Sequence, residues 1–154
     1  MIGLMMDYPL TLTHILERSA KIYPRREIVS RTPDGSMHRY RYRAFHQRVH
    51  RLARALKTLG VQAGDRIGTL CWNSSRHLEL YFAIPCAGFL LPTLHPGLAP
   101  EQCSCITNHA QDRDHFVHAP LLPDPDHITI VFIAVTLSVG RSANRWTAGY
   151  HTPY

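Results

Sequence analysis

Two histidines one helical turn apart are the first candidates for metal binding. His46 and His50 have the i, i+4 spacing of a zinc-binding pair on a helix. The segment lacks the glutamate of an HExxH motif. Five cationic side chains surround the pair: Arg43, Arg48, Arg51, Arg54 and Lys57. Because these charges oppose binding of a divalent ion, a solvated helix face is the favoured interpretation of this segment.

A second candidate metal set combines two cysteines with the histidines that follow them: Cys103, Cys105, His109, His115 and His118. A Cys-x-Cys pair on a helix directs its two sulfurs about 200° apart, which is poor geometry for one ion. Core or drifted cysteines, with no role in metal binding, are therefore the favoured interpretation. Cys71, on a predicted strand, and Cys86, on an apolar helix, are likewise expected to be buried thiols, because no flanking feature activates either sulfur.

The serines and acids do not form a recognisable catalytic set. No GxSxG nucleophile elbow occurs, and Ser74-Ser75 stands where a helix cap is expected. Asp112 and Asp114 are a weak cation candidate, and loop acids are the simpler interpretation. The nine glycines are dispersed, so the sequence contains no Gly-rich loop with a lysine that would bind a phosphate group. We therefore predict no catalytic, cofactor-binding or metal-binding residue in this chain.

Length and composition indicate an ordinary globular protein. A chain of 154 residues fits one domain, or one domain with a tail. A hydrophobic content of 45% with 18% charged residues argues against wholesale disorder. The net charge of +6 is weak evidence for a nucleic-acid partner. Most of the basic residues are arginine, and the two lysines are Lys21 and Lys57. We interpret this preference for arginine first as coding bias.

Cysteine usage and hydropathy predict a cytoplasmic chain without a membrane span. The four cysteines form no spaced disulfide framework, which favours a reducing compartment. The amino-terminal segment has no basic region ahead of its apolar residues, so it does not read as a signal peptide. The most apolar run, residues 128–139, is about a dozen residues long, whereas a bilayer-spanning helix needs about 20.

The elements that position these side chains begin with a helix and a hairpin. A helix opens at Thr11 and is stopped by Pro24, with its apolar face formed by Leu12, Ile15, Leu16, Ser19, Ala20 and Tyr23. Residues 27–31 and 37–42 are predicted to pair as a β-hairpin around a turn at residues 32–35.

The next helix is the clearest element of the chain. Gly60 closes it, and five apolar side chains recur at spacings of four, three, four and three: Phe45, Val49, Leu52, Leu56 and Leu59. The five cations named above are predicted to line the opposite side. They are a candidate nucleic-acid surface, with Tyr40 and Tyr42 nearby, but a solvated amphipathic face gives the same pattern.

Strand and helix then alternate along residues 61–118. We predict a strand at 66–72 and then a helix capped by Asn73 or Ser74, which Pro85 should kink or end. An extended piece at 90–94, a helix at 100–109 and a strand at 115–117 are predicted to follow. This alternation favours an α/β layer with parallel pairing. After residue 123 a β-branched run is followed by sequence of little periodicity, so we predict an irregular C-terminal tail.

Several short motifs, in their order and spacing, resemble the amino-terminal region of a known family. They are Tyr42-x-x-Phe45, Leu59-Gly60-Val61, Gly64-Asp65-Arg66, Trp72-Asn73-Ser74, His77-Leu78-Glu79, Pro96-x-Leu98-x-Pro100-Glu101 and Asn108-His109-Ala110. Residues 6–118 are similar to AMP-forming acyl-CoA synthetases, of the medium- or long-chain fatty acid branch. The resemblance implies part of the N-terminal subdomain of the adenylate-forming synthetase fold.

The resemblance implies a two-domain ligase that activates a carboxylate with ATP and passes the acyl group to coenzyme A. In the family the phosphate loop, the acids for nucleotide and Mg²⁺, and the catalytic lysine come later, so none is carried over and no cofactor is assigned to this chain. The family more often has His-x-x-Asn-x-Arg where Pro92, His95 and Gly97 stand. Cys103 and Cys105 replace bulkier residues expected there.

We therefore expect residues 6–123 to be the N-terminal portion of an AMP-dependent synthetase/ligase domain and residues 124–154 to be a non-matching tail. A frameshift, altered splice or early stop would produce such a tail. The resulting protein is a truncated fatty acyl-CoA synthetase-like chain without activity of its own. The alternatives are a non-catalytic fragment that pairs with a full-length relative and a nucleic-acid binder, of which the second is less favoured.

Overall fold

A computed structural model describes residues 7–32, 35–111, 114–118 and 130–134. The four helices within these ranges are α1 (Leu12–Ile22), α2 (Tyr42–Thr58), α3 (Ser75–Cys86) and α4 (Pro100–Ala110). The strands are β1 (Glu27–Arg31), β2 (Met37–Arg41), β3 (Ile67–Leu70), β4 (Thr93–Leu94), β5 (Asp114–His118) and β6 (Ile130–Ala134). No helix in the described ranges is long and apolar enough to span a bilayer.

Strands β1 and β2 form the expected antiparallel hairpin, with Glu27 opposite Arg41 and Arg31 opposite Met37. We predict the second strand to run through residue 42, whereas Tyr42 is the first residue of α2. Its N–H donates to the Arg26 carbonyl at 3.0 Å, so the chain turns directly from the hairpin into the helix without a linker. The hairpin is thereby fixed against the amino-terminal end of α2.

The second sheet has the strand order β4-β3-β5-β6. Strand β3 pairs in parallel with both β4 and β5, which confirms the parallel α/β layer predicted from the alternation. Strand β6 pairs antiparallel with β5, with Asp114 opposite Ala134 and His118 opposite Ile130. The predicted irregular tail therefore contains one strand, formed by part of its β-branched run. This strand covers the outer edge of β5, which would otherwise present unpaired backbone groups.

Helices α2 and α3 each contribute to two apolar clusters. Phe45 and Val49 of α2 pack with Leu16 of α1 and Ala83 of α3. Leu56 belongs to the second cluster, whose other buried members are Val61, Ile67, Cys71, Leu80, Ile84, Phe89 and Phe116. Leu59 is the exception to the predicted apolar face, because it follows the last helical residue and is 44% exposed.

Helix α1 is attached to the rest of the fold mainly through one buried side chain, Leu16. Its predicted apolar face also included Leu12, Ile15 and Tyr23, but all three are exposed, Ile15 to 56%. The 3.6-residue period predicts which side chains share a face, yet it does not predict how much of that face a partner covers. Here the described neighbours of α1 cover only part of it.

Ser74 caps α3 as predicted, because its Oγ accepts a hydrogen bond from the His77 N–H at 3.2 Å. We expect Ser74→Ala to lower the free energy of unfolding by about 1 kcal/mol, since the replacement leaves a helix N–H without its acceptor. Urea denaturation followed by circular dichroism measures this change. Ser104→Ala, at an exposed site within α4, is the matched control and should be neutral or slightly stabilising. Equal effects of the two substitutions would contradict the capping role.

Candidate functional site

An open groove of about 370 Å³ lies between the hairpin and the start of α3. It is lined by Ile28, Val29, Ser30, Arg31, Asn73, Ser74, Ser75, His77, Leu78 and Tyr81. The residues from α3 follow the carboxyl end of β3, and in open α/β sheets this edge is where ligands bind. The groove is therefore a candidate site for a small molecule.

The polar groups at the floor of this groove are already engaged with one another. The Ser75 N–H donates to Ser30 Oγ at 3.0 Å, which joins the start of α3 to the hairpin. The buried His77 places Nε2 3.2 Å from Thr69 Oγ1, and its ring packs against Tyr81. Because the hairpin and the Ser74 cap already use two N–H groups of the helix terminus, these donors do not form an anion site.

A charged pair joins α2 to α3 beneath the predicted basic face. Arg48 donates through Nε to Glu79 Oε1 at 2.6 Å and through Nη2 to Oε2 at 3.3 Å. The Glu79 side chain is only 4% exposed, whereas that of Arg48 is 32% exposed. The prediction that Arg48 lies on the solvated face is therefore wrong. The proposed nucleic-acid surface loses one of its five cations to this pair.

Tyr40 lies against the same pair, with the Arg48 guanidinium carbon 6.0 Å from its ring centroid. Burial raises the pKa of Tyr40 well above its ordinary value, and the negative charge of Glu79 raises it further. The phenol is thus neutral across the physiological range. Sequence reasoning placed Glu79 in a family motif but did not identify its partner, because Arg48 is 31 residues away along the chain.

His46 and His50 meet a carboxylate that sequence reasoning missed. Glu17 of α1 places Oε1 2.9 Å from His46 Nε2 and 3.5 Å from His50 Nε2. The two ring nitrogens are 3.1 Å apart. The hydrogen bond from His46 is the main cause that lowers the pKa of Glu17. The acid absent from the helix sequence is therefore supplied by the neighbouring helix.

A family model described as AMP-binding enzyme matches residues 16–145 of the chain. The chain belongs to the AMP-binding enzyme family. The match confirms the family predicted from the motifs, and it extends past residue 123, where we place the end of the resemblance. That boundary, and the separation of a tail at residues 124–154, stay predictions.

Two similar members of this family are CoA ligases. The chain is 44% identical over 123 residues to the 3-methylmercaptopropionyl-CoA ligase of Ruegeria lacuscaerulensis, covering 80% of this chain and 23% of the relative. It is 45% identical over 119 residues to the long-chain-fatty-acid–CoA ligase of Thermus thermophilus, covering 77% and 22% respectively. The chain thus spans less than a quarter of the length of these curated relatives.

Solved structures support the same fold. The crystal structure of the anthranilate CoA ligase AuaEII in complex with anthranoyl-AMP superimposes with a TM-score of 0.67 at 27% identity, over 76% of this chain and 22% of that one. The Klebsiella oxytoca NpsA N-terminal subdomain matches with a TM-score of 0.64 at 14% identity, over 77% and 30% respectively. The described chain is therefore the N-terminal part of the adenylate-forming synthetase fold.

Among the residues whose side chains the structure describes, the second candidate metal set is not assembled. In the part of the chain that the structure describes, the one convergent group of three ligating side chains is Glu17, His46 and His50. Cys103 and Cys105 of α4 therefore form no such group with His109. Asp112 and the side chains of Asp114 and His118 lie outside the described residues.

The four cysteines form no disulfide and differ in accessibility. Cys71 is buried and its Sγ lies 3.6 Å from the Phe116 carbonyl oxygen, which confirms the predicted buried thiol. Cys86 is half-buried, and burial raises the pKa of its thiol. Cys103 is partly covered and Cys105 is exposed. The prediction of buried thiols therefore holds for Cys71 and only in part for Cys86, whereas the exposed Cys105 is not a core cysteine.

We expect iodoacetamide to modify Cys105 first and Cys71 last in the folded chain, because alkylation requires both an accessible sulfur and the thiolate form. Cys86 should react slowly at neutral pH and faster as the pH rises, since its raised pKa keeps the thiol protonated. Peptide mass spectrometry of timed samples measures the four rates. In urea the rates should converge, and a fast reaction at Cys71 before unfolding would contradict its burial.

Proposed function

We propose that this chain supplies the amino-terminal part of an acyl-CoA ligase acting on an aliphatic carboxylate, and that its 154 residues are inactive alone. The observation that carries the proposal is the 44% and 45% identity to two CoA ligases, confined to less than a quarter of their length. The names of these relatives denote a sulfur-containing short acid and long-chain fatty acids. Both are aliphatic carboxylic acids, which motivates the proposed substrate class.

In the proposed reaction a carboxylate oxygen attacks the α-phosphorus of ATP. A carboxyl–phosphate bond forms, the bond to the β-phosphate breaks, and pyrophosphate leaves. The thiol of coenzyme A then attacks the acyl carbon and AMP leaves. Such chemistry needs cationic groups and Mg²⁺ around the phosphates. The sequence offers no Gly-rich loop with a lysine, so we assign this chain a structural role and no catalytic residue.

The test of inactivity is ATP–pyrophosphate exchange by the purified chain with short-, medium- and long-chain carboxylates. We expect no exchange above a no-enzyme control. Exchange that depends on a carboxylate and on the folded chain would overturn this part of the proposal. Unfolding in urea provides the control for a contaminating ligase, because a contaminant would lose its activity at a different urea concentration.

A chimera tests whether the chain is a working ligase segment. Residues 16–118 replace the corresponding segment of the Thermus thermophilus long-chain-fatty-acid–CoA ligase, and exchange is measured with the fatty acids that the parent accepts. Retained exchange supports the proposal. A folded chimera without exchange contradicts it. The same chimera carrying Ser74→Ala is a control that should stay active, because we expect that substitution to cost only about 1 kcal/mol of stability.

A second candidate is an interaction fragment that binds a full-length relative. The observation that favours it is the exposure of apolar side chains around α1, among them Leu10, which is 89% exposed, Ile15 and Ile22. Co-expression with a tagged acyl-CoA ligase of the same cell tests this role. A stable 1:1 complex by size-exclusion chromatography would support it. Elution of the chain apart from the ligase would oppose it.

We also propose the cytoplasm as the location of this chain. None of its four cysteines forms a disulfide, including the exposed Cys105, and thiols persist in reducing compartments. Microscopy of a fluorescent fusion in the native cell, together with fractionation, tests the assignment. Recovery of the chain from a membrane or secreted fraction would contradict it.

A further inference from the structure

The side chains of Glu17, His46 and His50 converge at the contact between α1 and α2. Their three nearest ligating atoms lie within 4.8 Å of one another. The two histidines are one helical turn apart on α2, so their rings project from the same face. Glu17 reaches this face from α1. The cluster therefore contains an acid and two imidazoles contributed by two separate helices.

We propose that Glu17, His46 and His50 form a surface site for a divalent transition-metal ion, best suited to Zn²⁺, which links α1 to α2. The proposal is independent of the ligase role, since it concerns the folded chain alone. Imidazole nitrogens with one carboxylate are a donor set that zinc accepts. The harder Mg²⁺ and Ca²⁺ prefer oxygen ligands, so they are not expected to compete.

The distances within the cluster match those of a zinc coordination sphere. Tetrahedral zinc with bonds of about 2.0 Å separates its ligand atoms by about 3.3 Å. The three separations here are 2.9, 3.1 and 3.5 Å, on either side of that value. The ligands would therefore need only small rotamer adjustments to bind.

The exposure of the cluster leaves room for a further ligand. Glu17 is 54% exposed and His50 46%, whereas His46 is 25% exposed. Three protein ligands with an open side leave the fourth position of the ion to water or to an outside ligand. The ion would be anchored by two helices and accessible from solvent.

The charge surrounding the cluster is less unfavourable than the sequence predicts. Arg48 is directed to Glu79 in the interior and is neutralised there. Glu17 adds a negative charge that the helix sequence does not contain. The other four cations of α2, which are Arg43, Arg51, Arg54 and Lys57, are exposed, so solvent and salt screen their repulsion. These cations should weaken the site without abolishing it.

Binding of an ion would stabilise the attachment of α1. This helix otherwise relies on Leu16 and a few partly covered contacts. An ion that binds the folded chain and not the unfolded chain raises stability in proportion to the logarithm of its concentration. The expected consequence is a melting temperature that rises with Zn²⁺.

The experiment titrates the full 154-residue chain with Zn²⁺ by isothermal calorimetry and records thermal unfolding with and without the ion. All variants carry Cys103→Ser and Cys105→Ser, so that the exposed thiols do not compete. We expect one ion per chain and an increase in melting temperature. His46→Gln and His50→Gln should each weaken binding about tenfold or more and remove the thermal shift.

Glutamine at residue 46 keeps an N–H that can donate to Glu17, so the variant should remain folded. His14→Gln is the matched control, because His14 is an exposed histidine of α1 outside the cluster. It should bind Zn²⁺ as the parent does. The proposal is overturned if no saturable binding occurs, if the double variant His46→Gln/His50→Gln binds as tightly as the parent, or if His14→Gln causes the same loss.

Discussion

Replacing Leu56 by alanine is expected to lower the free energy of unfolding by about 3 kcal/mol, within the range measured for buried leucines. Leu56 is fully buried, in a cluster with side chains of α3, β3 and β5. Truncation removes apolar area from the core and leaves a cavity where α2 meets the sheet. Urea denaturation of the wild-type and variant chains, monitored by circular dichroism, measures the difference.

Leu59→Ala is the matched control for this prediction. The two leucines are three residues apart, and both belong to the apolar face predicted from the sequence. Leu59, however, is 44% exposed, so its truncation should cost less than about 0.5 kcal/mol. If the two variants were equally destabilised, the exposed position of Leu59 at the end of α2 would be incorrect.

Replacing Arg48 by methionine is expected to cost about 3 kcal/mol, the lower part of the range for breaking a buried ion pair. The substitution preserves much of the apolar stem but leaves the Glu79 carboxylate, which is 4% exposed, without its bidentate donor. Arg76 remains 3.9 Å away and offers only partial compensation, since its side chain is itself 53% exposed. The same urea titration detects the loss.

Glu79→Gln should be milder than Arg48→Met, at about 1–2 kcal/mol, because the remaining guanidinium can reach solvent. The double variant Arg48→Met/Glu79→Leu should recover much of the loss, since no buried charge is left. Arg54→Met, an exposed site on the same helix, should change stability by less than about 0.5 kcal/mol. An Arg48→Met chain as stable as the Arg54→Met chain would show that the pair does not support the α2–α3 contact.

Much of the fold could be predicted from the sequence because it depends on local residue patterns. The hairpin residues and the Ser74 cap act on their immediate neighbours, so their effects follow from residue type and spacing. Pro85, by contrast, does not end α3 but lies inside it, and the helix continues to Cys86. The alternation of strands and helices likewise fixes an α/β layer with parallel pairing. Family membership followed from short motifs whose order survives even where single residues have changed.

The antiparallel pairing of β6 with β5 could not be predicted from the sequence. Its apolar run predicts an extended or helical segment, but not its neighbour, because strand pairing depends on which sheet edge is free in three dimensions. The exposure of Leu59 and Ile15 could not be predicted either, because it also depends on which elements lie nearby in three dimensions. Periodicity assigns a side chain to a face, whereas burial depends on what packs there.

By itself the sequence determined most of the elements and the family, since each depends on residues close together in the chain. Only the tertiary structure placed Glu17 beside His46 and paired Arg48 with Glu79. These partners are 29 and 31 residues apart in sequence. Their contacts arise because α1, α2 and α3 pack together around Leu16, Phe45, Val49 and Ala83. The charge pattern of one helix cannot reveal which opposite charges its neighbours present.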